Sequence, residues 1–168
     1  MKNAKQRNAG IFLAQGGMVA ALYVALTLIA SAMGLASGQI QLRLSEALTI
    51  LPCFFPAAVP GLFVGCLLAN LLTGCVLWDV AVGSLATLLG ALGTRLLRKN
   101  RWLAVLPPIV SNILLVPPVL VWAYGMEESI PFLMLTVGLG EVLSCGVLGE
   151  LMYSALDKRR ALWDRKDR

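Results

Sequence analysis

No histidine occurs among the 168 residues. Its absence removes the usual general base, the commonest zinc ligand and the side chain that titrates near neutral pH. Charge is scarce as well. Charged residues make up 14% of the chain, against roughly 25% in a soluble domain. There is no G-x-x-x-x-G-K-[ST] phosphate loop, so ATP cannot be bound in the usual way. No lysine lies inside a long apolar run, and no nucleophile–base pair stands out. We therefore expect no enzymatic activity. The four cysteines, Cys53, Cys66, Cys75 and Cys145, include no C-x-x-C pair and all lie in apolar stretches. They read as small packing residues, and no metal site is expected.

What the chain has in abundance is apolar surface. Hydrophobic residues make up 58% and the mean hydropathy is +0.80. A protein this small cannot keep so much apolar side chain out of water, so it belongs in a bilayer. The stretch from about Gly10 to Ala36 is too long for the apolar core of a signal peptide and reads as a retained helix. Counting about 20 apolar residues per crossing, six segments emerge. They cover about 10–36, 45–57, 60–77, 80–97, 102–123 and 131–156. The second is short and studded with Pro52, Pro56 and Pro60. The expected fold is one all-α membrane domain over residues 1–168, with a basic tail from 157.

Basic residues set the orientation. Lys2, Lys5 and Arg7 lie in the N-terminal tail, and Arg95, Arg98, Lys99 and Arg101 in the turn between spans four and five. Lys158, Arg159, Arg160, Arg165, Lys166 and Arg168 lie in the C-terminal tail. Six spans put these thirteen of the fourteen cations on one side and leave Arg43 on the other. Both termini are thus expected in the cytoplasm, in a multi-pass protein of the cell membrane. The net charge of +5 is then a topology signal facing anionic lipid and not a nucleic-acid patch. Trp78, Trp102, Trp122 and Tyr124 fall at span ends as an interfacial belt. Trp122 and Tyr124 are on the outer side, where either could also stack on a ligand.

Two ridges of small residues stand out. Gly10, Ala14, Gly17, Ala21 and Ala25 share one face of the first helix, with Ala32 further on. Gly61, Gly65, Ala69 and Thr73 share a face of the third. Small faces let helices approach closely in lipid. The second reads as internal packing. The first fits either packing or a partner subunit. Asn70, Asn112 and Glu141 each sit about ten residues into their helices, at similar depth, where polar groups normally face a cavity or a partner. Glu141 shares its face with Gly138, Ser144 and Cys145. Glu150 points elsewhere, near the cytoplasmic boundary. On the outer side, Gln39, Gln41 and Arg43 alternate with apolar residues, as in an extended segment over the helix mouths. Ser45 then suits an N-cap with Glu46 in the first turn, and Arg43 suits a salt bridge to Glu46 or Asp79.

The runs Gln39–Pro52, Pro60–Leu72 and Asp79–Leu88 resemble the signature of the QueT family of queuosine-precursor transporters, and the resemblance extends over about residues 10–156. It implies the substrate-binding S component of an energy-coupling factor (ECF) importer of bacterial type. Such a component is a six-helix bundle that captures its solute outside. A module of two cytoplasmic ATPases and one transmembrane coupling subunit carries it, so this chain needs no cofactor and the ATP is hydrolysed by partners. The resemblance implies docking through Gly17, Ala21 and Ala25, and a 7-deazaguanine ligand such as queuine or a precursor base. Such a base offers paired N–H donors beside a carbonyl and a flat ring. Glu141, Asn112 and Asn70 suit the polar edge, and Trp122 and Tyr124 suit the ring. Arg43, Glu46 and Gln41 are placed to close over it. The rival reading is a self-sufficient proton-coupled carrier using Glu141, against which stands the absence of an evident inverted repeat.

Overall fold

The computed structural model describes residues 2–35 and 42–159, with side chains from residue 6 onward. Every element among them is helical: α1 (Lys2–Ala32), a 3₁₀ helix (Leu44–Cys53), α2 (Ala58–Leu72), α3 (Leu77–Leu96), the short α4 (Arg101–Ala104), α5 (Leu106–Tyr124), α6 (Ile130–Glu141), a π-helical stretch (Val142–Leu148) and α7 (Gly149–Asp157). Four continuous stretches are long and apolar enough to cross a membrane: Gln6–Ala32, Leu77–Leu96, Arg101–Tyr124 and Ile130–Asp157. Leu44–Cys53 and Ala58–Leu72 are shorter apolar helices. The six expected segments are therefore all helical, but two of them fall short of full spanning length.

Prolines sit where the backbone tolerates them. Those at 60, 107, 108 and 131 lie in the first turns of α2, α5 and α6, where no intrahelical N–H bond is lost. Pro117 and Pro118 lie inside α5, where each removes one intrahelical N–H bond. Gly125 ends α5 in the left-handed conformation, φ 66°, and Met126 N–H closes the turn on Leu120 O at 3.2 Å.

The second segment departs most from expectation. It is a ten-residue 3₁₀ helix, buried from Ser45 to Pro52. At about 2.0 Å rise per residue it reaches roughly 20 Å, further than the same residues would as an α-helix. It packs against α1, α2, α3, α7 and the π stretch and forms an internal pillar with no lipid-facing side. Its start also differs. Arg43 precedes the first turn without a side-chain cap, so Ser45 is not the N-cap. Instead its Oγ accepts a hydrogen bond from Thr27 Oγ1 at 2.9 Å.

Contacts fix the directions. Gly61 lies against Gly16 and Val19, and Gly65 against Ala20 and Tyr23, so α1 and α2 run parallel. Gly90 meets Pro108 and Ser111 Oγ donates to Ala86 O at 2.9 Å, so α3 and α5 run antiparallel. Thr49 meets Cys145 and Ile50 meets Gly149, which makes the pillar parallel to the last rod. Successive segments thus alternate in direction. The 97–101 turn and the end of α7 share one end of the bundle, and the end of α1, the start of the 3₁₀ helix and the 124–130 connection share the other.

The ridge on α2 is internal packing, as expected. A Cβ at Gly65 would stand 2.7 Å from Tyr23 Cβ and 3.0 Å from Ala20 Cα, both closer than side chains tolerate. Gly65→Leu should lower stability by about 1–3 kcal/mol through overpacking. Gly17→Ala, which has nothing within 4 Å of its new methyl, should leave it unchanged. Thermal unfolding of both variants in detergent checks the pair.

Candidate functional site

A cavity of about 390 Å³ opens at the 124–130 end of the bundle. Its volume suits one small molecule. Tyr23, Thr27 and Ala30 contribute one wall from α1, and Arg43 and Ser45 a second from the approach to the pillar. Asn70, Thr73 and Asp79 line it from the end of α2 and the start of α3, and Tyr124 from the end of α5. At the rim, Tyr124 Oη donates to Asp79 Oδ2 at 2.9 Å and accepts from Val76 N–H at 3.3 Å. Arg43 lies within electrostatic reach of Glu46 and Asp79 but forms no ion pair with either. Arg101–Glu150, at 3.7 Å and at the opposite end, is the ion pair among the described residues.

Beneath the cavity lies a closed polar cluster. Tyr23, which lines the cavity, donates its hydroxyl to Glu46 Oε1. The polar atoms of Glu46, Glu141 and Cys145 lie within 4.8 Å of one another. Cys145 Sγ donates to Glu141 Oε2 at 3.2 Å, and Thr49 Oγ1 donates to Glu46 O at 2.6 Å. Two carboxylates and a thiol could hold a zinc-like ion. Cys145 Sγ also lies 3.5 Å from Glu46 O and accepts from Thr49 Oγ1 at 3.4 Å, so hydrogen bonds link the three side chains. Asn112 lies beside Glu141, fully buried, yet neither amide atom completes a hydrogen bond. Glu46 Oε2 and Ser144 Oγ are likewise buried without partners. The π-helical stretch begins directly after Glu141 and carries Ser144 and Cys145 inward. Such wide turns often mark functional positions in helices.

The residues singled out in the sequence are thus divided. Asn70, Arg43 and Tyr124 line the cavity. Glu46 touches it through Tyr23, while Glu141 and Asn112 sit in the closed cluster behind. Trp122 is 79% exposed and turned away from the cavity, in the manner of Trp78 and Trp102. Gln41 and Gln39 lie outside the described residues. Gly17, Ala21 and Ala25 are all exposed on α1. Tyr23, Thr27, Thr49 and Cys145 are not site residues by sequence reasoning, which places Asp79 as a salt-bridge partner and at the start of a family motif. The one available signal is Tyr23 with Thr27, two hydroxyls four residues apart in the otherwise apolar stretch 16–30 of α1.

An all-helical membrane chain, a single-molecule cavity at one end and a polar core beneath it together define a small solute-handling membrane protein. The family model described as QueT transporter matches residues 13–158, most of the chain. The protein belongs to the QueT transporter family: it is a multi-pass membrane transporter of the queuosine-precursor class and not an enzyme. No curated protein and no solved structure matches the chain.

The Tyr23–Glu46 contact should contribute measurably to the fold. Tyr23→Phe leaves both carboxylate oxygens of Glu46 buried and unpartnered, a cost of about 1–3 kcal/mol or more for a charged group. Thermal unfolding of Tyr23→Phe should show a clear loss, partly recovered by Glu46→Gln in the same chain.

Proposed function

We propose that this chain is the substrate-binding S component of an ECF importer, that it captures a 7-deazaguanine base in the cavity, and that a separate module drives its transport. The observation that carries this reading is the cavity itself. It lies at the end opposite the 97–101 basic turn and the end of α7, and so opens outside the cell when the cations face the cytoplasm. Both termini are then cytoplasmic and the membrane is the plasma membrane. This chain carries no phosphate loop, and in this reading partner ATPases supply the energy.

A docking face is available. Only 11% of the apolar stretch of α1 is buried by the rest of the chain, against 44–50% in the other three long helices. Gly17, Ala21 and Ala25 lie on this open face, whereas Gly16, Val19, Ala20 and Tyr23 turn toward α2. The small ridge is therefore not used to pack this chain, and a transmembrane coupling subunit can approach it closely. Ala25→Trp should keep ligand binding in detergent yet abolish uptake in cells carrying the module. Normal uptake would place the docking face elsewhere.

For the ligand, Asn70 and Arg43 meet the base in the cavity and Tyr124 offers a ring to stack on. Glu141 stands one carboxylate behind the wall, with Asn112 beside it and unpartnered polar atoms around it. In this reading the base displaces the Tyr23–Glu46 contact and presents its paired N–H donors to Glu46 and Glu141. A hydrogen bond to a charged group contributes about 1.5–3 kcal/mol. Glu141→Gln should therefore weaken queuine binding roughly 10- to 150-fold and reduce discrimination against a base lacking the exocyclic amine. Titration of the purified variant with both bases is the check. Unchanged affinity and discrimination would leave Glu46 as the recognising carboxylate.

A further inference from the structure

Beneath the cavity, three side chains of the metal-ligand type converge from separate segments. Glu46 comes from the 3₁₀ pillar, Glu141 ends α6, and Cys145 lies in the π-helical stretch. All three are buried, and their polar atoms lie within 4.8 Å of one another. Cys145 Sγ and Glu141 Oε2 stand 3.2 Å apart. Two ligands on one tetrahedral zinc ion, with sulfur at about 2.3 Å and oxygen at about 2.0–2.2 Å, are separated by roughly 3.5 Å. That pair therefore has close to the spacing of two ligands on one ion. Glu46 faces it with Oε2, which is buried and makes no hydrogen bond. A second observation separates a ligand site from a plain hydrogen-bonded core. Asn112, on α5, is fully buried beside Glu141, and neither atom of its amide completes a hydrogen bond. A buried amide left unused on both atoms is costly. Its carbonyl oxygen is a fourth donor at the same place.

We propose that Glu46, Glu141, Cys145 and Asn112 form a site for one divalent ion of the zinc class. The donor set selects that class. A thiolate with carboxylates suits zinc, whereas magnesium and calcium take oxygen ligands alone and in larger number. The charges close as well. Two carboxylates and a thiolate carry three negative charges. A divalent ion offsets two, and the Arg43 guanidinium, within electrostatic reach of both glutamates, offsets the third. Binding converts the Cys145 thiol to a thiolate and releases its proton. Tyr23 lines the cavity and donates to Glu46, so turning its phenol aside gives the ion a way in. The cysteine spacing conceals the site, because its donors come from three separate parts of the chain. The inference goes beyond the base-binding reading and needs no base. Glu46 and Glu141 are also the carboxylates offered to the base above, so ion and base exclude one another there.

The test begins with the full-length wild-type chain in detergent, so it does not depend on a variant folding. The chain is freed of base and metal by dialysis against a chelator, then titrated with zinc alone and with cadmium alone. One zinc ion should bind per chain and release a proton, and cadmium should produce the ultraviolet charge-transfer band of a cadmium–thiolate bond. Cys145→Ser should abolish the band and weaken zinc by about 100-fold or more, since even an outer partner of a metal ligand is worth about 10- to 100-fold. Asn112→Ala should weaken zinc by at least about 10-fold. Cys53→Ser, at the opposite end of the bundle, should leave both readouts unchanged. A folded wild-type chain that binds no zinc would overturn the inference, and so would a cadmium–thiolate band that survives in Cys145→Ser. Either result leaves the base-binding reading standing, because queuine titration measures that separately.

Discussion

A carboxylate at the centre of a lipid-embedded protein must find its partners inside the protein, because no water is there to supply them. Glu46 is in that position: it is fully buried, and its nearest donor is a phenol from another helix. Much of the architecture follows from that requirement. The segment carrying Glu46 is screened from lipid by α1, α2, α3 and the last rod. It can be short and 3₁₀-wound because it need not face hydrocarbon. Gly65 lets α2 approach α1 at the level of Tyr23, and the π-helical turn after Glu141 brings Cys145 to the same place. The polar core and the close helix packing are thus two consequences of one demand.

The same arrangement divides α1 between two tasks. One face, with Gly16, Val19, Ala20 and Tyr23, joins the core and supplies the phenol that separates cavity from cluster. Another, with Gly17, Ala21 and Ala25, is left open. A change in the position of α1 would therefore be felt at Tyr23, and through it at Glu46. In the proposed importer, ligand capture and module docking would act on opposite faces of one helix. That offers a physical route between the two sites without a long chain of intermediates.

Much of this was legible in the sequence, and the reasons for the rest are specific. The apolar runs and the clustering of cations in three segments indicated the number of helical segments and their alternation. The small ridge on α2 was correctly read as packing, since glycines at spacing four have few other uses inside a bundle. The winding of Leu44–Cys53 was not legible. Hydropathy registers apolar residues but not whether a buried segment takes i→i+3 or i→i+4 bonds. Depth was readable for Glu141 and Asn112, yet depth does not tell which side of a wall a residue occupies, and both lie behind Tyr23. Trp122 illustrates the same limit, because rotation about α5 turned it toward lipid while Tyr124, two residues on, reached the cavity. Asp79 was hidden by its position in the first turn of α3, where an acid has an ordinary electrostatic explanation.

In the proposed importer this chain alone forms the capture site. Native mass spectrometry of the protein purified without any coupling module is the decisive measurement. One deazaguanine base should be bound per chain. A folded chain that carries no such base, or that acquires one only when the module is present, would contradict it.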